Sequence, residues 1–76
     1  MKEEKSLLDG IRLGESLLVL AVSGEDSTRL ADLGFRSGAR VGCVGISPLG
    51  DPIMLTVGGR VVAVRKRELR SVSVER

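Results

Sequence analysis

Catalysis and metal binding need nucleophiles, bases or donor atoms at workable spacing, and this chain offers few of them. Its 76 residues contain no His, Tyr or Trp, and Cys43 is the sole cysteine. No spacing of Ser, Lys and carboxylates sets a nucleophile beside a base, so no catalytic residue is assigned. Glu25 and Asp26 are adjacent, but both stand at the start of a short helical segment, where attraction to the helix dipole accounts for them. With imidazole absent, a lone thiol makes a weak transition-metal site. Alternation with Val41 also turns Cys43 inward, where it acts as a small hydrophobe, so neither a metal ligand nor a cofactor is assigned. The glycines form no GxxxxGK(S/T) phosphate loop, and nucleotide binding by that device is excluded.

What remains is surface chemistry. Twelve Lys and Arg against ten Asp and Glu give a formal charge of +2. The excess collects in Arg65, Lys66, Arg67 and Arg70, a basic rim near the C-terminus. Such a rim can meet phosphates, yet the stacking aromatics of single-strand binders are missing, since Phe35 is the only aromatic residue. A nucleic-acid-binding barrel is therefore the alternative reading and a small transition-metal carrier the weaker one.

The elements that hold these residues follow from period and punctuation. Ser16 to Val22 is a short apolar run between Gly14 and Gly24, which reads as a buried strand. Asp26 and Ser27 offer capping oxygens for a helix of about two turns that ends at Gly34 as its C′ residue. Leu30 and Leu33 seat that helix beside Phe35, while Arg29 and Asp32 face water. Arg40 to Ile46 alternates Val41 and Cys43 against Gly42 and Val44, and Gly42 and Gly45 predict a bend or bulge.

Ser47-Pro48-Leu49-Gly50 fits a type I turn, and Asp51 before Pro52 is driven towards extended backbone. Ile53 to Val57 and Arg60 to Val64 flank Gly58-Gly59, the signal of a two-residue hairpin. Its register sets Val57 opposite Arg60, Leu55 opposite Val62 and Ile53 opposite Val64, with the branched set facing the core. Met54, Thr56, Val61 and Ala63 then point out. Arg65 to Leu69 forms a single turn, and Ser71 to Val74 is a closing strand.

Met1 to Lys5 reads as a charged flexible tail and Ser6 to Leu13 as a lead-in. The whole predicts one all-β domain over residues 6–76, a small SH3-like barrel of about five strands with one short helix inserted after the first. A chain this short buries only about 60% of its unfolded surface. One cysteine and no disulfide framework point to a reducing cytoplasm. No apolar run approaches the roughly 20 residues that span a bilayer.

Leu49, at the tip of a proline-bounded turn, and the outer hairpin face make a surface more apolar than a monomer needs. Pro48, Leu49, Gly50, Asp51, Pro52, Met54, Val61 and Ala63 are accordingly assigned as a partner-binding surface. Two bland alternatives stand beside this. The lead-in folds over that face, or weak self-association covers it.

Leu30-Ala31-Asp32-Leu33-Gly34-Phe35, Gly38, Val41, Pro48-Leu49-Gly50-Asp51-Pro52, Gly59 and Ala63-Val64-Arg65 together resemble the FeoA family, ferrous iron transport protein A. The resemblance spans roughly Ser6 to Val74. It implies an SH3-like barrel in the bacterial cytoplasm that associates with the membrane ferrous-iron permease FeoB through its GTPase part, peripheral to the inner membrane by way of that partner. It implies no enzyme activity, and any GTP belongs to the permease. A similar module forms the C-terminal domain of some iron-dependent repressors, whose DNA-binding segments this chain lacks. It departs from the family at Ser37, where a proline is common, at Gly42 and Gly45, and at Lys66, Arg67 and Arg70, where relatives often carry acidic residues.

Overall fold

Side chains two apart on a strand share a face, so Ile53, Leu55 and Val57 must enter a core together. In the computed structural model, which describes residues 5–76, they do so beside Val64, all four almost fully buried. They belong to β4 (Ile53–Val57), which forms a hairpin with β5 (Arg60–Val64) in the predicted register, from Val57 opposite Arg60 to Ile53 opposite Val64. Gly58 and Gly59 both adopt positive φ, as the two-residue turn requires.

Around this hairpin the sheet is completed by β1 (Lys5–Leu7), β2 (Ser16–Val22), β3 (Arg40–Ile46) and β6 (Val72–Glu75). All pairings are antiparallel, in the order β1-β6-β2-β3-β4-β5. Two bulges curl it, one in β2 between Val19 and Ala21 and one in β3 between Cys43 and Gly45. The second lies where the strand glycines predicted one. The interior is aliphatic around Phe35 and includes Leu17, Val19, Val41, Val72 and Val74.

The sheet holds one strand more than the five expected. Of the stretch Met1 to Lys5, read as a tail, residues 1–4 lie outside the described residues and Lys5 opens β1. β1 pairs with β6, and a 3-10 turn over Leu8–Gly10 follows and buries Leu8. With Ile11 also in the core, the lead-in is committed to β6 and the interior and does not cover the hairpin's outer face.

The inserted helix is α1 (Ser27–Leu33). Asp26, expected to cap it, makes no side-chain bond to its first turn. At φ −89° and ψ 7° its backbone is in a turn and not in the extended conformation of a capping residue. The other end is as expected. Gly34 at φ 113° donates to the Ala31 carbonyl, and Phe35 N–H reaches back to the Leu30 carbonyl. That reciprocal pair is a Schellman ending, and it delivers Phe35 into the core. Arg36 Nε and Arg60 Nη2 each bond a carbonyl of the last helical residues, Ala31 and Leu33, at 3.2 Å.

Gly34 has a second constraint, because a Cβ there would come within 3.1 Å of Val57 Cγ2. Gly34→Ala therefore meets both the left-handed backbone penalty, about 1–2 kcal/mol, and a clash with a core valine. Urea denaturation should show a loss of at least that size.

Glu15 fastens the two ends of the fold. Its carboxylate accepts the Arg12 N–H at 2.8 Å and pairs with Arg76, whose other nitrogen bonds the Gly10 carbonyl at 2.8 Å. The Arg12 backbone bond, aided by the Arg76 charge, holds the Glu15 carboxyl below its ordinary value of 4.5. A lowered folded-state value stabilises above the unfolded value and is lost as pH falls through the folded one. Denaturation midpoints from about pH 6 down to about pH 3 should therefore fall less steeply in Glu15→Gln than in the natural chain.

Candidate docking surface

Burying one face of the hairpin leaves the other in water. On that face the β3–β4–β5 register lines up Gly42, Thr56 and Val61 in one row and Gly45, Met54 and Ala63 in the next. The glycines form a floor on which neighbours lie down. A Cβ on Gly42 would meet Thr56 Oγ1 at 2.9 Å, and one on Gly45 would meet Met54 Cε at 3.2 Å. Met54 and Thr56 are half-buried in consequence, whereas Val61 is 62% exposed and Val44, the extra residue of the β3 bulge, 54%.

The turn between β3 and β4 stands at one end of this face. Gly50 N–H closes it on the Ser47 carbonyl at 2.7 Å, and Ser47 N–H bonds the Pro52 carbonyl at 3.2 Å. The Asp51–Pro52 peptide is cis. Pro48 and Leu49 project outward, and Leu49 is 97% exposed.

Asp51 has a different task. Its Oδ1 accepts the Lys66 N–H at 2.9 Å, at the start of α2 (Lys66–Leu69). Arg65 precedes that helix but a guanidinium has no acceptor, so the cap comes from another loop. The reward is the burial of Leu69 in the core. No feature near Lys66 in sequence announces a capping group, and the signal lies fifteen residues away in a turn read only for its shape.

The basic rim divides. Arg65 and Arg67 are exposed, and neither is in a salt bridge among the described residues. Lys66 is half-buried, with Nζ 3.6 Å from the position of a Cβ on Gly50, so its cation borders the turn. Arg70 is tied to Asp9 at 3.4 Å. Among the described residues Arg65, Lys66 and Arg67 are thus without an ion pair and two of them, Arg65 and Arg67, are exposed, too few for a continuous phosphate track.

Cys43 is 3% exposed and faces the core, as alternation indicates. Among the described residues no group of three or more His, Cys, Asp and Glu side chains is placed to hold a metal ion. No helix of the described residues is long and apolar enough to cross a membrane. One feature escaped the sequence reading, an open groove of about 580 Å³ between β2 and α1, lined by Leu20, Val22, Thr28, Ala31, Phe35 and Arg36 among others. Ala31, a small side chain on the strand-facing side of the helix, is its only trace in the sequence.

A curled six-stranded antiparallel sheet with one inserted helix, a spare apolar face and a proline-bounded turn defines a small domain of SH3-like fold. The FeoA domain profile matches residues 7–76. The chain belongs to the FeoA family. The solution structure of iron(II) transport protein A from Clostridium thermocellum is 36% identical with a TM-score of 0.83, over 92% of this chain and 44% of that one. This chain therefore spans less than half of that protein. FeoA from Chlorobium tepidum is 30% identical with a TM-score of 0.82, over 92% of this chain and 69% of that one. FeoA from Stenotrophomonas maltophilia, a prokaryotic SH3 domain protein crystallised with zinc, is 31% identical with a TM-score of 0.81, over 91% and 88%. No curated protein matches.

The Asp51 bond yields a direct check. Asp51→Ala removes the side-chain acceptor of the Lys66 N–H and should cost about 1 kcal/mol, the usual value of a lost helix cap. Asp51→Asn, which keeps an acceptor oxygen, should recover most of the loss in the same urea titration.

Proposed function

We propose that this chain is a non-catalytic cytoplasmic accessory protein that docks on the ferrous-iron permease FeoB and modulates it. The observation that carries this reading is the outer hairpin face, with exposed Val61 and Ala63, bordered by a fastened turn that holds Leu49 in water. Apolar side chains held out on rigid backbone are what a protein interface uses as anchors. Family membership supplies the process, ferrous iron transport, and the permease as partner is this reading's own step.

The chemistry of the donor set supports docking over metal carriage, since the chain has no His and its one thiol is buried. In this reading iron is the permease's cargo and never a ligand of this chain. Arg65 and Arg67 add electrostatic steering towards an acidic rim on the partner, an effect that acts mainly on association rate.

Capture of the full-length permease in detergent tests the proposal. Leu49→Asp and Val61→Asp change residues that lie outside the core, so both variants should stay folded. Each should reduce capture by about tenfold or more, the usual effect of losing an interface anchor. Equal capture by the natural chain and both variants would remove the site assignment.

A further inference from the structure

The two ends of the sheet are not alike. β1, at one edge, is three residues long, and a very short strand is a common protection against pairing. β5, at the other, is five residues long, and its ladder to β4 runs without a bulge. The two-residue turn makes Val57 and Arg60 a hydrogen-bonded pair, and alternation then commits the N–H and C=O of Val62 and Val64 to β4 as well. The N–H and C=O of Val61 and Ala63 therefore point away from the sheet. No hydrogen bond to any of these four groups occurs among the described residues.

The usual protections of an edge are missing between Val61 and Val64. There is no proline, no lysine and no inward charge. Arg60 does not shield the edge, because its guanidinium turns back to the Leu33 carbonyl. Just beyond the strand stand Arg65 and Arg67, exposed and outside every salt bridge of the described residues.

We infer that the β5 edge accepts an extended segment of the permease as a seventh strand, with small apolar side chains alternating along it and a carboxylate facing Arg65 and Arg67. This rests on the docking reading for the partner's identity. It adds the mode of contact: backbone pairing supplies affinity, and side chains beside Val61 and Ala63 continue the outer face. Charge selects this occupant over a second copy. Two-fold pairing that uses all four groups sets Val61 against Ala63 of the other copy, and the same register sets Arg65 against its Gly59, next to its Arg60. The other copy's β5 carries no acidic residue to answer Arg65, and its Arg60 lies on the opposite face of the ribbon, turned to the Leu33 carbonyl. Self-pairing leaves these cations unmatched, whereas an acidic segment neutralises them.

The test has two arms. In the first, amide exchange is followed by NMR in the natural chain, alone and with the blocked peptide Glu-Val-Thr-Val-Glu. Alone, Val61 and Ala63 should exchange faster than Val62 and Val64, and the peptide should slow those two. A peptide N-methylated on its bonding edge should not. In the second arm, permease capture is compared with Ala63→Pro, which removes an N–H the β4 ladder does not use and is tolerated on an edge.

Folded Ala63→Pro should lose capture by about tenfold or more, the equivalent of about 1.4 kcal/mol. Undiminished capture by Ala63→Pro, with no peptide protection, overturns the inference while leaving the docking reading intact. Absence of capture by the natural chain alongside peptide protection overturns the permease as partner and supports the edge as a strand acceptor. Protection of Val61 and Ala63 that grows with protein concentration makes a second copy the occupant and overturns the inference.

Discussion

Because side chains alternate along a strand, sealing Ile53, Leu55, Val57 and Val64 inside obliges Met54, Thr56, Val61 and Ala63 to lie outside. A one-residue slip would exchange the two sets and expose the core. Burial of the branched set, at about 25 cal/mol for each Å² of apolar surface removed from water, therefore fixes the outer set as firmly as the inner. The proposed docking surface is the reverse side of the core, held by the same free energy.

Polar contacts then place the parts that the core does not reach. Arg60 anchors the hairpin on the C-terminal carbonyl of α1, and Asp51 anchors the β3–β4 turn on α2. Arg29 pairs with Glu68 and so joins the two helices. Ion pairs this exposed contribute little, typically under about 1 kcal/mol each, so the charged fastenings select geometry more than they stabilise the fold. Bonds to backbone groups matter more, since a helix end left without partners is costly.

What could be read in the sequence follows the same division. The hairpin, its register, the Schellman end of α1 and the β3 bulge were legible because each depends on a local signal: period two, paired glycines, a glycine after the last helical turn, glycines within a strand. β1 was not, since three residues beginning with Lys5 carry no period and become a strand only by pairing with β6. Asp26 misled because residue type names a capping side chain but not the backbone angles that aim it. Asp51 was assigned to the partner surface, and its bond to Lys66 depends on two loops meeting in space. The outer face was legible as a surface because alternation places it.

The β3–β4 turn shows how so small a chain can hold an exposed apolar side chain on rigid backbone. A fully exposed leucine on a loose loop would lose conformational freedom on binding, and that loss subtracts from affinity. Here the loop is closed at Gly50 on Ser47, at Ser47 on Pro52 and at Asp51 on Lys66, and proline restricts the backbone at two of its six positions. The ordering cost is met when the domain folds, by contacts that also bury Leu69 and position β5. Leu49 and the free groups of Val61 and Ala63 thus stand on one preorganised unit, so that a partner meeting the turn also finds the strand edge beside the same hairpin.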